Sequence, residues 1–324
     1  MQMSELRVLV AGCGSIGKRH AEVLRGLGLT TLSACDPSEE SRVGFGALLP
    51  DIPLYADYAE ALAAEKPDAV FILTPTRLHT AMAREALLAG CHVFIEKPIS
   101  NTPDGVEDLK ALAEARGKKV MVGFCFRYHA ALLKAKRLLE AGRIGRLVSI
   151  RALMGEPFYD IHPDYLNLYY AKYSGAFELV HDLDLAIWFA GQEIDSVQSV
   201  YGSFSDMGME SPDTVEMLVK FRDRCVANVH LDFFQTPRRR QMDLIGTQGV
   251  ITVEFASWDK AELALFSRQT MCWERETVAT ARNDMFAAED QDFLNCILKD
   301  EPVRCTIDEA LKSLNAIASI YRPY

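Results

Sequence analysis

Glycines at positions 12, 14 and 17 and an aspartate at 36 carry the most specific chemistry in this chain. The glycines stand in Gly12-Cys13-Gly14-Ser15-Ile16-Gly17, directly after the apolar run Leu6-Arg7-Val8-Leu9-Val10-Ala11. In that setting Gly12 allows a tight turn, Gly14 lets backbone approach a pyrophosphate, and Gly17 lets the next helix pack closely on a sheet. The first amides of that helix, from Ser15 and Ile16, then face the phosphates. Asp36 closes a second strand-like run, Thr31-Leu32-Ser33-Ala34-Cys35, nineteen residues beyond Gly17. A carboxylate there accepts hydrogen bonds from an adenosine ribose. A lone glycine triplet would be a weak signal; strand, helix and acid together predict a dinucleotide site. NAD is expected over NADP, because Asp36 would repel a 2′-phosphate. Ser38 and Arg42 leave a route to that phosphate open if Asp36 rotates away.

Two further residues suit proton chemistry. Lys97, in Glu96-Lys97-Pro98, follows the run His92-Val93-Phe94-Ile95 at a strand's C-terminal end, where open α/β sheets place ligands. A half-buried ammonium there steadies a developing alkoxide or assists proton transfer. On position alone it is equally an exposed strand-end lysine. His181 falls in a helix-like segment, 178–188, where an isolated histidine is ordinarily structural. Asp184, three residues on, lies on nearly the same face and could orient the imidazole or bind a substrate hydroxyl.

The elements that position these residues follow from periodicity. Ile16, His20, Val23, Leu24 and Leu27 share one helical face after the glycine loop. Residues 68–73 form an apolar run between Pro67 and Pro75, as expected of a strand buried on both faces. A helix over 78–88 stops at Gly90, and Pro103 reads as the first position of the next, before Val106, Leu109 and Leu112. Lys119-Val120-Met121-Val122-Gly123-Phe124 is another strand. This βαβα rhythm predicts an α/β N-terminal Rossmann domain with a doubly wound parallel sheet.

After a helix over 130–141 the pattern changes to strand alternation at 147–154, 197–204, 215–221, 226–233, 242–245 and 250–255. Arg222-Asp223-Arg224 reads as a hairpin turn. A mostly antiparallel sheet with helices on a single face, an α+β domain, is expected. Two helices close the chain, the last opened by the capping box Thr306-Ile307-Asp308-Glu309. The expected division is residues 1–124 for the dinucleotide and 125–324 for substrate and oligomer contacts.

Composition narrows the function classes. With 324 residues, 49% hydrophobic and 25% charged, the chain is an ordinary globular protein of two domains. Its net charge of −10 argues against nucleic acid as a partner. Arg238-Arg239-Arg240 reads as a solvated turn or a local anion contact. No apolar stretch suits a bilayer, and a first strand near Leu6 leaves no room for a signal peptide. The eight cysteines show no CxxC pair, which fits reduced thiols in the cytoplasm. Seven dispersed histidines, without HxxxH or HExxH, predict no dedicated metal site.

The pieces Thr74-Pro75 with His79, Gly90-x-His92-Val93-x-x-Glu96-Lys97-Pro98, and Val122-Gly123-Phe124 with Arg127 follow one another in order. Gly142-x-Ile144-Gly145 and His181-x-x-Asp184 come next. In order and spacing the chain resembles the Gfo/Idh/MocA oxidoreductases almost from end to end. The resemblance implies a pyridine nucleotide on the first domain and a sugar, polyol or sugar acid between the domains. It further implies Lys97 and His181 as catalytic residues. Arg127, Tyr159, Glu178 and Asp184 join them as substrate contacts. Thr74, Pro75, His79, Glu96 and Lys97 join the glycine loop and Asp36 around the cofactor. A cis Lys97–Pro98 bond and a homo-oligomer, dimer or tetramer, are expected as well. Many relatives carry an aspartate four residues before the histidine; here that position is Phe177, and Glu178 is the nearest carboxylate. Residues 158–165, with Tyr169, Tyr170 and Tyr173, are read as lining the substrate cleft or as packing groups.

The reading is an NAD(P)-dependent dehydrogenase acting on a secondary alcohol. One alternative is an NAD-dependent glycosidase working by transient redox elimination, which would release an aglycone without net NADH. The other is a non-catalytic nucleotide-binding sensor, which would bind without turnover.

Overall fold

The computed structural model of the chain describes residues 3–168 and 170–321, so Tyr169 lies outside the described residues. Contacts divide the chain into two compact units, residues 1–125 with 283–314, and residues 126–282 with 315–324. The first unit ends at residue 125, and by contacts residues 283–314 group with it.

The first unit alternates strand and helix in sequence order. It comprises β1 (Arg7–Ala11), α1 (Ser15–Gly26), β2 (Thr31–Cys35), α2 (Glu39–Gly46), β3 (Leu54–Tyr55) and α3 (Tyr58–Glu65). It continues with β4 (Ala69–Ile72), α4 (His79–Leu88), β5 (His92–Glu96), α5 (Val106–Arg116) and β6 (Val120–Gly123). The six strands pair in the order β3-β2-β1-β4-β5-β6, every pair parallel. Every residue of β4 is buried, as its unbroken apolar run requires. Pro103 does not open α5: the helix starts at Val106, whose N–H donates to Pro103 O across a turn.

Residues 283–314 join this unit through Phe293 against Phe71 and Phe94, through Val122 N–H donating to Cys305 O, and through a buried ion pair. His20 on α1 places Nδ1 2.8 and 3.0 Å from the two carboxylate oxygens of Asp290. Both side chains are fully buried, and the rings of Phe71, Phe94 and Phe286 surround the imidazole. Burial opposes charge on the imidazole, but Asp290 outweighs it and holds His20 above its ordinary value. Glu289 lies beside them, a grouping able to hold a cation; the direct imidazole–carboxylate bond and aromatic walls fit an ion pair of the core.

The second unit begins with α6 (Ala130–Glu140), β7 (Leu147–Gly155), the single turn α7 (Phe158–Ile161) and α8 (His181–Ala190). Then come β8 (Ile194–Gly202), β9 (Thr214–Phe221), β10 (Val226–Asp232), β11 (Arg239–Gly246), β12 (Gly249–Glu254), β13 (Lys260–Ser267) and β14 (Cys272–Ala279). The eight strands pair in the order β14-β13-β12-β11-β7-β10-β9-β8. All pairs are antiparallel except β7 with β10. Helices α6 and α8 pack on one face, which carries the buried alternate residues. Two helices end the chain, α9 (Asp284–Leu298) and α10 (Ile307–Ala318); Glu309 N–H donates to Thr306 Oγ1 as the capping box requires.

On the sheet's other face His230 sits between two acids, with Nε2 2.8 Å from Asp232 Oδ2 and Nδ1 2.6 Å from Glu216 Oε1. The Asp232 bond, then the Glu216 bond, overcome partial burial and raise the imidazole to about 9. Stability from this group is full below the ordinary histidine value of about 6.5 and is lost as pH rises through about 9. His230→Gln should therefore remove a pH slope from urea midpoints between pH ~6 and ~10, worth on the order of 1 kcal/mol after screening. An unchanged slope would show that the pair contributes nothing.

Candidate active site

The nucleotide half of the site is built from two close approaches. Gly12 adopts φ +108°, and a Cβ there would stand 2.5 Å from Leu73 O, so the loop lies directly on the end of β4. At Gly17 a Cβ would stand 1.9 Å from Gly12 O, so only glycine lets α1 start this near the loop. At Gly14, by contrast, nothing lies within 4 Å of a Cβ position. No side chain caps α1, and Gly14 and Ser15 are exposed, with Ile16 half-buried. Such an N-terminus, open and uncapped, suits a pyrophosphate.

Asp36 follows β2 and is held facing the same loop. Its Oδ2 accepts from Cys13 N–H at 2.9 Å and its Oδ1 from Ser38 N–H at 2.8 Å. A half-buried carboxylate with lone pairs to spare can take two ribose hydroxyls. The residues that left NADP open are engaged elsewhere: Arg42 Nη1 donates to the carbonyls of Asp36 and Pro37, and Ser38 Oγ accepts from Ser41 N–H. We expect kcat/KM to favour NAD at equal pH and salt, and Asp36→Ser to narrow the gap. An NADP preference in the unaltered protein would contradict this.

Thr74 and Pro75 follow β4, with Thr74 N beside Gly12 of the glycine loop. His79 is placed differently. It is 1% exposed, with Nε2 2.8 Å from Thr74 O and Nδ1 2.9 Å from Pro98 O. Burial holds it below its ordinary value, so the neutral ring donates to one of these two carbonyls, beside the β4 loop and the Lys97–Pro98 turn. The Lys97–Pro98 bond is cis, as is Thr236–Pro237. Glu96 is 8% exposed at the end of β5, its charge felt at His20, while Lys97 next to it is half-buried.

In the second unit the segment before His181 is not continuous helix. Gly175–Glu178 forms a 3-10 turn, and α8 starts at His181 itself. Gly175 opens that turn at φ +53°, where a Cβ would lie 2.1 Å from Pro212 O; the break itself falls at Leu179 and Val180. Phe177, where many relatives have aspartate, is buried and stacks on Tyr321 at 4.4 Å.

The first turn of α8 is clamped by two arginines. Arg127 donates from Nε and Nη2 to Asp184 at 2.8 and 2.6 Å, with the two residues 6% and 1% exposed. Arg240 donates from Nε and Nη2 to Asp182 at 3.1 and 2.7 Å, and Asp182 is wholly buried. The Arg240 guanidinium also lies 3.7 Å over the Phe126 ring, whose centroid is 5.0 Å from the His181 ring. Arg127 and Asp184 bind each other and hold the helix. One expectation is corrected here: Arg240 is no part of a solvated turn, at 4% exposure.

The tyrosine segment separates in the same way. Phe158 stacks on Phe233 at 4.4 Å, and Tyr165 OH donates to Met207 O at 2.6 Å. Both are packing groups. Tyr159 and Tyr173 are exposed, and Tyr173 O accepts from Tyr321 OH.

Comparison with known proteins agrees with this geometry. Residues 6–124 match the model of the oxidoreductase family with an NAD-binding Rossmann fold, and residues 132–252 match the GFO/IDH/MocA C-terminal domain. An uncharacterized oxidoreductase, YrbE of Bacillus subtilis, is 27% identical over 299 residues, covering 84% of each chain. The inositol 2-dehydrogenase of Leifsonia xyli is 28% identical over 233 residues, 70% of this chain and 66% of that one. Among solved structures, UDP-N-acetylglucosamine 3-dehydrogenase GnnA from Acidithiobacillus ferrooxidans superposes with a TM-score of 0.80 at 27% identity. That match covers 97% of this chain and 96% of the other. Glycine loop, Asp36, the Lys97 strand end and the two matched domains lead to one assignment: the chain belongs to the GFO/IDH/MocA family of oxidoreductases, with an NAD-binding Rossmann domain.

Proposed function

We propose that this oxidoreductase is a dehydrogenase moving a hydride between NAD and a secondary alcohol of a sugar, cyclitol or sugar acid. The observation that carries the reading is the anchoring of His181. Two buried arginine–carboxylate pairs and a stacked phenylalanine fix the start of its helix, an arrangement that a surface histidine would not require. The relatives named inositol 2-dehydrogenase and UDP-N-acetylglucosamine 3-dehydrogenase support the same class of substrate.

Bound nicotinamide supplies the hydride acceptor. His181 takes the hydroxyl proton, and Lys97 steadies the oxygen as charge develops on it; the reverse reaction uses the same two groups. Glu178 and Tyr159 contact substrate hydroxyls. A modest effect of Glu178→Gln would make that carboxylate structural, whereas a loss near that of His181→Ala would make it the orienter. The lack of any CxxC pair supports a cytoplasmic setting, and exposed Val200, Leu218 and Val226 on the open sheet face support a homo-oligomer. Among the described residues no helix is long and apolar enough to cross a membrane.

The test is a screen of cyclitols, aldoses, sugar acids and nucleotide sugars with NAD and NADP. Accumulation of NADH with one of these classes is expected. Tight nucleotide binding without turnover of any alcohol would make the protein a sensor.

A further inference from the structure

The run Arg238-Arg239-Arg240 is not used up by the chemistry above. Around β11 its side chains part: Arg239 is exposed and bonds Gln241, while Arg240 turns to the covered face and clamps Asp182. Arg238, two residues from Arg240, follows it to that side. Its guanidinium lies 4.7 Å from the centre of the Trp258 ring, with Nη1 donating to Ala256 O and Nε 3.3 Å from Glu156 Oε2. A second guanidinium, Arg282, lies 4.8 Å from the same ring. Arg282 is exposed and has no carboxylate partner among the described residues.

These groups connect directly to His181. The Trp258 ring is 6.4 Å from Phe126, and Phe126 is 5.0 Å from His181. Arg238 and Arg240 are offset by Glu156 and Asp182, which leaves the charge of Arg282 in excess beside an indole that is 36% exposed. An aromatic plate with one uncompensated guanidinium on it, two ring contacts from the proton-accepting histidine, suits an anion carried one sugar ring away from the reacting carbon.

We infer that Arg282, Arg238 and Trp258 form a subsite for an anionic group, a carboxylate or a phosphoryl, on the sugar that His181 deprotonates. The inference rests on the dehydrogenase reading and sharpens it: among sugars the substrate is a charged one. Arg282 and Arg238 supply the charge, and Trp258 holds both guanidiniums in place.

The test compares matched pairs, a hexose against its hexuronate and a free sugar against its nucleoside diphosphate form. The unaltered protein should favour the anionic member of one pair in kcat/KM, and added salt should shrink that preference. Arg282→Gln, at an exposed position, should lower the anionic-to-neutral ratio on the order of tenfold, chiefly through KM. Which pair responds separates carboxylate from phosphoryl. Equal use of both members, or an Arg282→Gln protein with an unchanged ratio, would overturn the subsite and leave the guanidiniums as surface stacking only. Quenching of tryptophan fluorescence by the anionic sugar, read against Trp258→Phe, needs no turnover. If quenching depends on Arg282 while no alcohol reduces NAD, the subsite stands and the dehydrogenase reading falls.

Discussion

Lys97→Ala and His181→Ala are each expected to slow hydride transfer by ~10²–10⁴-fold, the usual worth of positioned acid–base assistance. NAD affinity should stay nearly unchanged in both, because the groups we propose for pyrophosphate and ribose, Gly12–Gly17 and Asp36, are touched by neither substitution. The two effects have different origins. Without His181 the alcohol proton has no fixed acceptor, so oxidation should also lose the pH dependence that an imidazole imposes. Without Lys97 the developing alkoxide loses its cationic partner, so the loss should appear in both directions. Single-turnover rates with NAD in excess, set beside calorimetric NAD binding, separate chemistry from affinity. A folded His181→Ala protein with full turnover would defeat the mechanism while leaving the nucleotide site intact.

The second large effect concerns the clamp on α8. Arg240→Leu leaves the Asp182 carboxylate fully buried with its bidentate partner gone. Burial already pushes that carboxylate up, and Arg240 is the main force opposing it. Removing one partner of a buried pair typically costs about 3–5 kcal/mol, because an uncompensated charge stays in the interior. Replacing both residues with apolar ones should restore most of the loss. Urea unfolding of Arg240→Leu, Asp182→Leu and the double variant forms the cycle. A loss below about 1 kcal/mol in Arg240→Leu would show that the pair is not what fixes the helix. A stable but slow double variant would assign the pair to positioning His181.

Much of this was legible in the sequence where local pattern and global role coincide. The glycine loop, β1, α1 and Asp36 follow from spacing, because Gly12 and Gly17 answer steric demands that no other residue meets. Strands β7 to β12 show in alternation, since one face of their sheet is covered and the other open. Strands β13 and β14 were missed. Nearly every residue of β14 is exposed, so it has no buried face to impose a period. The segment 178–188 read as helix throughout because Leu179 and Val180 extend its apolar run. The helix instead begins at His181, after a 3-10 turn whose Gly175 packs on Pro212, far along the chain.

The largest omissions in the site are pairs formed across long stretches of sequence. His20 with Asp290 and Arg240 with Asp182 have no local signature, and an arginine in a run of three reads as surface. His79 and Asp184 stand in legible motifs, but their partners Pro98 O and Arg127 do not follow from spacing. Motif spacing says that a side chain is needed at a position; it does not separate the group that touches a ligand from the strut that holds it.

The central claim, hydride transfer from a sugar carbinol carbon, is tested most directly by isotope. The protein is incubated with NAD and a turned-over sugar bearing deuterium at its reacting carbon, and the nicotinamide and sugar products are analysed by mass spectrometry. The account predicts deuterium at C4 of net-formed NADH, one deuterium for each ketone produced, and none in Lys97→Ala or His181→Ala over the same period. Aglycone release with no net NADH, or NADH free of deuterium, would contradict it.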